Sequence, residues 1–255
     1  MLFSRPAKAV LQANSRYSTN ALQWCVAFLF MLLSGSALAQ QGISSVSIAY
    51  TVSFESEKYG NATLGKFQTE INRTSDGYTV LSALKGQGLA AILMGSNYQE
   101  SCNFSVDEGR AFSNIYSGGR QDLEDYEVIF DWDERKINFS DGESLDMPQG
   151  YVVDNCNMPF AAAILKGEGL AEQPLYIVDG KKKRIRGYTL KSRDMETIST
   201  KIGEIGTVKI VLERELHPER TITLWLSPDN AYMPLKMEER RRKRTTTMMV
   251  DQINS

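Results

Sequence analysis

Chemistry in this chain would have to come from a short set of side chains. There is one histidine, His217, and it precedes Pro218. Proline holds the residue before it in an extended or turn conformation. No nucleophile signature lies nearby, so His217 reads as a turn residue rather than a general base. Asp131 and Asp133 flank Trp132. On one strand they would share a face, about 7 Å apart along the chain. Two carboxylates with an aromatic between them would suit a carboxylate-based polysaccharide hydrolase. The same residues also suit a strand end entering a charged hairpin turn. Glu124, Asp125 and Glu134 add to the acidity there, without the spacing of a calcium loop. Ser227 precedes Pro228 and lacks the glycine-flanked setting of a hydrolase nucleophile. Neither a phosphate-binding glycine loop nor a dinucleotide fingerprint occurs. The sequence therefore assigns no catalytic residue, no metal ligand and no cofactor.

Three other groups could bind or link. Cys102 and Cys156 follow an N-terminal leader that carries off Cys25. Two cysteines in an oxidising compartment read as one disulfide, with two buried thiols as the alternative. Zinc is disfavoured, because two thiols and one histidine do not fill a four-ligand site. Lys181-Lys182-Lys183-Arg184 and Arg240 to Arg244 are basic hairpin tips. They read as solvated turns or as contacts for anionic headgroups. Counting turns near Arg193, Gly203, His217 and Asp229 places the two clusters at opposite ends of a sheet. Met233, Met237, Met248 and Met249 cluster late, with Met94 apart. Methionine adapts to varied apolar partners as readily as it fills a core.

The leader sets the compartment. Arg5, Lys8 and Arg16 precede the apolar run Trp24 to Leu33, and Ala37-Leu38-Ala39 offers small residues for cleavage before Gln40. Residues 1–39 thus read as a signal peptide. The apolar run is short of the roughly 20 residues a spanning helix needs, so the mature chain is expected to have no transmembrane segment. Removing 39 of 255 residues leaves 216, with 26 basic residues facing 31 acidic ones. A chain of that size is enough for one large β domain or two small ones, with one, residues 40–255, favoured, and its mild acidity makes it a poor nucleic-acid binder.

The elements that would carry these groups are mostly strands. Ser45 to Glu55, Lys66 to Asn72 and Tyr78 to Leu84 are rich in β-branched and aromatic residues. Runs around Phe104 and Phe112 to Tyr116 flank Asp107-Glu108-Gly109, and Tyr126 to Trp132 and Lys136 to Phe139 flank Asp133-Glu134-Arg135. Such spacing predicts hairpins of an antiparallel sheet. Leu175 to Val178, Asp179-Gly180 and Arg184 to Lys191 read as a further hairpin. Val208, Ile210 and Leu212 alternate with polar residues, as do Ile222, Leu224, Leu226 and Met233, Leu235, Met237. Period-two alternation predicts one buried face. His217-Pro218 and Ser227-Pro228-Asp229-Asn230 read as turns. Leu89 to Met94 is a candidate for one or two helical turns. Met158 to Lys166 is a better helix, with Pro159 early and Gly167 as its stop. The fold expected is mainly β: a large antiparallel meander forming a curved, partly open barrel-like sheet with one short packed helix.

The run Arg220 to Asp229 (RTITLWLSPD), followed by Tyr232, Pro234 and Leu235, resembles an uncharacterised family of exported bacterial proteins, domain-of-unknown-function family 3108. Tyr50 to Gly65, Gly88-Leu89-Ala90-Ala91 and Phe130-Asp131-Trp132 extend the resemblance over nearly all of the mature chain. It implies export to the periplasm and a barrel-like sheet similar to those of lipoprotein carriers, an analogy of fold alone. It brings no catalytic residues. Arg241 to Arg244 stand where the family tends to have a glycine-containing turn. The cysteine pair is not a general family feature, so the disulfide rests on compartment.

Alternation without a catalytic constellation points first to a non-enzymatic periplasmic binding or carrier protein. Its ligand would be apolar or lipid-linked: a lipid, a lipid-linked glycan or an envelope protein segment. A cell-envelope assembly module and a polysaccharide hydrolase through Asp131 and Asp133 are the alternatives.

Overall fold

The computed structural model describes residues 45–87, 97–120 and 126–254. The leader, its cleavage site, the Leu89 to Met94 segment, and Glu124 and Asp125 lie outside the described residues. The first hairpins are β1 (Val46–Ser56), β2 (Gly60–Arg73), β3 (Gly77–Gly86), β4 (Asn97–Asp107) and β5 (Arg110–Arg120). Shorter strands follow: β6 (Tyr126–Asp131), β7 (Lys136–Phe139), β8 (Ser144–Asp146) and β9 (Tyr151–Asp154). After the helix α1 (Met158–Ile164) come β10 (Leu175–Asp179), β11 (Arg184–Thr200) and β12 (Gly203–Arg214). The last strands are β13 (His217–Ser227), β14 (Met233–Arg241) and β15 (Arg244–Asn254).

All of these strands form one sheet, ordered β8-β7-β6-β5-β4-β3-β2-β1-β15-β14-β13-β12-β11-β10-β9. It is two meanders joined where the first strand pairs with the last. Each neighbouring pair is antiparallel except β9 with β10. Register shifts at Ala49/Tyr50, Val52/Ser53, Asn103/Phe104, Leu190/Ser192 and Trp225/Leu226 mark bulges. A bulge adds an unpaired residue and bends its strand, so these positions curl the sheet.

The alternating residues fill the concave side. Ile48, Val80, Phe104, Ile210, Leu212, Leu224, Leu235 and Val250 are buried there. Helix α1 packs inside the curve against β5, β9 and β14. Its residues Met158, Phe160, Ala161, Ala162 and Ala163 are buried, as expected of a helix enclosed on every side. It ends at Ile164, two residues before the expected Lys166, because Lys166 and Gly167 take positive φ angles of 51° and 70°. The Gly167 N–H bonds back to the Ala162 carbonyl at 3.0 Å, closing the last turn. The edge strand β9 tucks against β5, where the Ala111 N–H donates to the Tyr151 hydroxyl at 3.0 Å. The sheet is thus strongly curved and partly open, with one packed helix.

Two expected turns fall elsewhere. His217 and Pro218 begin β13; the turn is Glu215-Leu216, with Leu216 at φ 61°. There is no turn near Arg193. β11 runs 17 residues, from Arg184 to Thr200, and absorbs the polar stretch as a bulge between Leu190 and Ser192. This corrects the placement of the basic tips. Four strands, β11 to β14, separate the Lys182 turn from the Arg242 turn. An even number of antiparallel passes returns the chain to the same end, so both clusters lie at one end of the sheet.

Candidate functional site

That shared end gathers several charged side chains on the concave face. The inward positions of β11 carry Arg184, Arg186 and Tyr188, while β12 ends on Arg214. Arg220 on β13 stands opposite Arg241 on β14, and Glu239 precedes Arg241 on the same face. Arg186 is 6% exposed. It donates to Asn155 Oδ1 at 2.8 Å and approaches Asp179 at 3.5 Å and Glu239 at 4.0 Å. Arg184 approaches Asp179 at 3.4 Å, and Arg241 pairs with Glu239. The Nε atoms of Arg184, Arg186 and Arg220 are buried without an acceptor. Buried donors usually find partners, so three orphans on one face set this end apart.

Arg214 is half-buried and has no carboxylate within ion-pair distance among the described residues. Burial lowers its pKa most, opposed by Tyr188, and the charges of Arg220, Arg186 and Arg184 lower it further. Burial likewise raises the Tyr188 pKa, with Arg186, Glu239, Arg214 and Arg241 all close enough to act on it.

A second polar group adjoins the first across the β10–β11 turn. Tyr98 and Glu100 on β4, Tyr116 on β5 and Tyr126 on β6 face inward together. The Tyr98 and Tyr116 hydroxyls donate to Glu100 Oε2 at 3.3 and 3.4 Å. Tyr126 lies 3.0 Å from the Tyr98 hydroxyl and 2.7 Å from that of Tyr116. Glycines make room: a β-carbon on Gly118 would sit 2.5 Å from the Tyr126 hydroxyl, and one on Gly180 would sit 2.5 Å from its ring. Glu100 keeps some accessible surface yet is hemmed in by protein, and this burial, then the Asp154 charge, pushes its pKa up to about 7.

Asp154 itself is fully buried at the end of β9. It accepts from Ser113 Oγ at 2.6 Å and from the Asn157 N–H at 2.7 Å. Burial pushes its pKa up to about 6 despite these hydrogen bonds. A disulfide joins Cys102 of β4 to Cys156 in the loop before α1, closing a separation of 54 residues. Cys102, Asp154 and Cys156 place possible ligand atoms within 4.8 Å of one another. Both sulfurs are committed to the disulfide, so this group offers no thiolate to a metal.

Of the remaining sequence candidates, only two methionines face the open concave surface; the others sit in turns, strand starts or the core. Asp131 accepts from the Glu134 N–H at 2.9 Å in the β6–β7 turn, and Asp133 lies in that turn. They do not form a pair on one strand face, which removes the geometry expected of a carboxylate hydrolase. Trp132 donates to the Ser113 carbonyl at 2.8 Å and packs edge-on to Phe112. His217 is half-buried and 3.6 Å from Glu219. Ser227 is buried and accepts from Asn230 Nδ2 at 2.9 Å. Met233 is core, and Met237 and Met248 are half-buried cross-strand neighbours on the concave face. Sequence reading missed Arg186, Arg214, Arg220 and the Glu100–tyrosine group. For Arg214 and Arg220 the signal was weak but present: inward parity with Leu212 and Ile222.

Among the described residues no helix is long and apolar enough to cross a membrane. Residues 49–251 match the family described as "Protein of unknown function (DUF3108)". Among solved structures, a β-barrel-like protein of family DUF1849 from Brucella abortus is similar with a TM-score of 0.53 at 11% identity, over 84% of this chain and 98% of that one. A putative outer membrane lipoprotein-sorting protein domain from Vibrio parahaemolyticus aligns at a TM-score of 0.27 and 7% identity, over 88% and 91%. No curated protein matches the chain. The chain belongs to the DUF3108 family, and its fold is similar to that of one β-barrel-like protein of very different sequence.

Proposed function

We propose that this member of the family is a non-enzymatic binding or carrier protein of the periplasm, delivered there by the leader at residues 1–39 and acting as a single domain, 40–255. Its ligand is apolar or lipid-linked. The observation that carries this reading is the concave face itself. Phe67, Met237 and Met248 are only half-buried there, on a sheet that is curved but not closed. Half-exposed methionines on a concave surface suit apolar partners of varied shape. The disulfide suits an oxidising compartment.

Native mass spectrometry of the protein purified gently from the periplasm tests it. Extra mass that is lost on denaturation, and absent from a Met237→Glu, Met248→Glu double variant that still melts cooperatively, supports the carrier reading. A clean apo mass, together with no fluorescence gain by 1-N-phenylnaphthylamine as an apolar probe, rejects it.

A further inference from the structure

Along three neighbouring strands the concave face changes character within one inward step. Leu212 gives way to Arg214 on β12, and Ile222 to Arg220 on β13. On β14, Met237 gives way to Glu239 and then Arg241. The apolar side of each pair is buried or half-buried and continuous with the core. The cationic side gathers at the end of the sheet that also holds Arg184 and Arg186. A ligand lying along these strands would meet carbon at one end and guanidinium at the other.

The charges at that end do not balance. Five inward arginines, at positions 184, 186, 214, 220 and 241, face Asp179, Glu239 and Glu219. Asp179 is shared by Arg184 and Arg186, and Glu239 by Arg186 and Arg241. Glu219 is 3.7 Å from Arg220 and 4.0 Å from Arg242. Arg214 has none of these carboxylates to itself. Charge repulsion among arginines is costly unless an anion joins them, and three buried Nε donors have no acceptor. Guanidinium groups present paired donors that match the oxygens of phosphate or carboxylate.

We propose that Arg186, Arg214 and Arg220 form an anion subsite that holds the phosphate or carboxylate headgroup of an amphiphilic ligand, its tail lying toward Met237 and Met248. This rests on the carrier reading and narrows it from an apolar ligand to an anionic amphiphile. Arg186 is fixed by Asn155 and Asp179 and sets the floor of the subsite. Arg214, half-buried and unpaired, supplies the accessible charge.

The test is calorimetric titration of the wild-type mature protein with dihexanoylphosphatidic acid, dihexanoylglycerol and inorganic phosphate, each below micelle concentrations. The expected result is that dihexanoylphosphatidic acid binds at least about tenfold more tightly than either of the others, weakening with added salt as an ionic contact does. Arg214→Gln is expected to remove about tenfold or more of that affinity, Arg214→Lys less, and Lys191→Gln, on the outer face, none. Cooperative melting of each variant keeps a loss of binding distinct from a loss of fold. Equal affinity for inorganic phosphate and dihexanoylphosphatidic acid, lost in Arg214→Gln, supports the anion subsite but identifies a free anion as its occupant and overturns the carrier reading. Equal affinity for dihexanoylglycerol and dihexanoylphosphatidic acid, unchanged in Arg214→Gln, overturns the subsite and leaves the carrier reading standing.

Discussion

Glu100 sits where three phenol protons must serve four contacts: two to its own carboxyl and two between Tyr126 and the hydroxyls of Tyr98 and Tyr116. When a protonated Glu100 donates to one of the two tyrosines, that phenol's own proton turns to Tyr126 and all four contacts are filled, which agrees with a pKa pushed up to about 7 by burial and then by Asp154. The folded state therefore holds a proton that the unfolded chain releases near 4.5. The contribution of Glu100 to stability falls as pH rises from about 4.5 through 7, and the full cost of ionising it in place is present above 7. Glu100→Gln keeps the acceptor and removes the charge. It should raise the melting temperature at pH 8 by about 3–6 °C, corresponding to roughly 1–2 kcal/mol in a chain of this size, and by little at pH 4.5. A shift that is the same at both pH values would place the effect in packing instead. Ser113→Ala tests the neighbouring network from the other side. It strips Asp154 of its 2.6 Å donor and should lower stability by about 1–3 kcal/mol at pH 7, as leaving a buried group unsatisfied does. Chemical denaturation measures this directly. Neither network was legible from residue types, because Glu100 and Asp154 resemble any other acid in a polar strand. Only inward parity and the closeness of β9 to β5 bury them.

The β11–β12 hairpin shows what alternation reveals and what it hides. Leu224 and Leu226 face the concave core as the pattern predicts, yet Trp225 between them is 3% exposed on the opposite face. The long hairpin accounts for this. Glu196 accepts from Trp225 Nε1 at 3.1 Å, and Lys209 and Lys236 lie over the ring at 5.3 and 4.1 Å. At its tip, Lys201 reaches Asp251 of β15 at 2.6 Å, and Asp251 also holds Lys66 and accepts from Thr51. Burial acts to raise the Asp251 pKa, but the bonds from Lys201, Lys66 and Thr51 prevail and hold it at about 2. Its contribution is present above the ordinary value of 3.8 and is lost as pH falls toward 2. Asp251→Asn should loosen the tip without unfolding the sheet, so trypsin should cut at Lys201 several-fold faster at pH 7. An unchanged cleavage rate would show that the Trp225 packing alone pins the hairpin. The length of this hairpin was hidden by Lys191-Ser192-Arg193-Asp194, which reads as a turn in a one-dimensional pattern. In the fold it is a bulge, since Ser192 pairs with Val211 and Arg193 with Ile210. One misplaced turn inverts the parity of every later one, and that is why the two basic tips were expected apart.

At the scale of the whole molecule, the pairing of first and last strands decides how the sheet holds together. β15 lies between β1 and β14, so it joins the meander β1 to β8 to the meander β14 to β9. The strand runs and most hairpin turns were readable locally, but this junction was not: Ser47 opposite Asn254 is a contact across nearly the whole described chain. Nothing in a strand's own alternation states its distant partner. The disulfide is the other long tie. By the chain-entropy model a loop of that length gives at most about 4 kcal/mol, and Cys102→Ala with Cys156→Ala should lower stability toward that bound. The junction itself can be tested by changing the chain order. Asn254 ends beside Ser47 in an antiparallel pair, so a short linker from residue 254 to residue 45 would make an ordinary hairpin of β15 and β1. New ends placed between Asp141 and Gly142, an exposed turn between β7 and β8, sever no strand. Exposed turns tolerate such cuts when the original ends are close. The permutant should keep the far-ultraviolet dichroism of a β protein and melt cooperatively within a few degrees of the parent. Deleting residues 244–254 from the parent should abolish the cooperative transition, because each half-sheet would then expose its central edge and lose Val250 and Met248 from the concave face. If the truncated chain melts cooperatively and the permutant does not, the two meanders are held by α1 and the disulfide rather than by the β1–β15 seam.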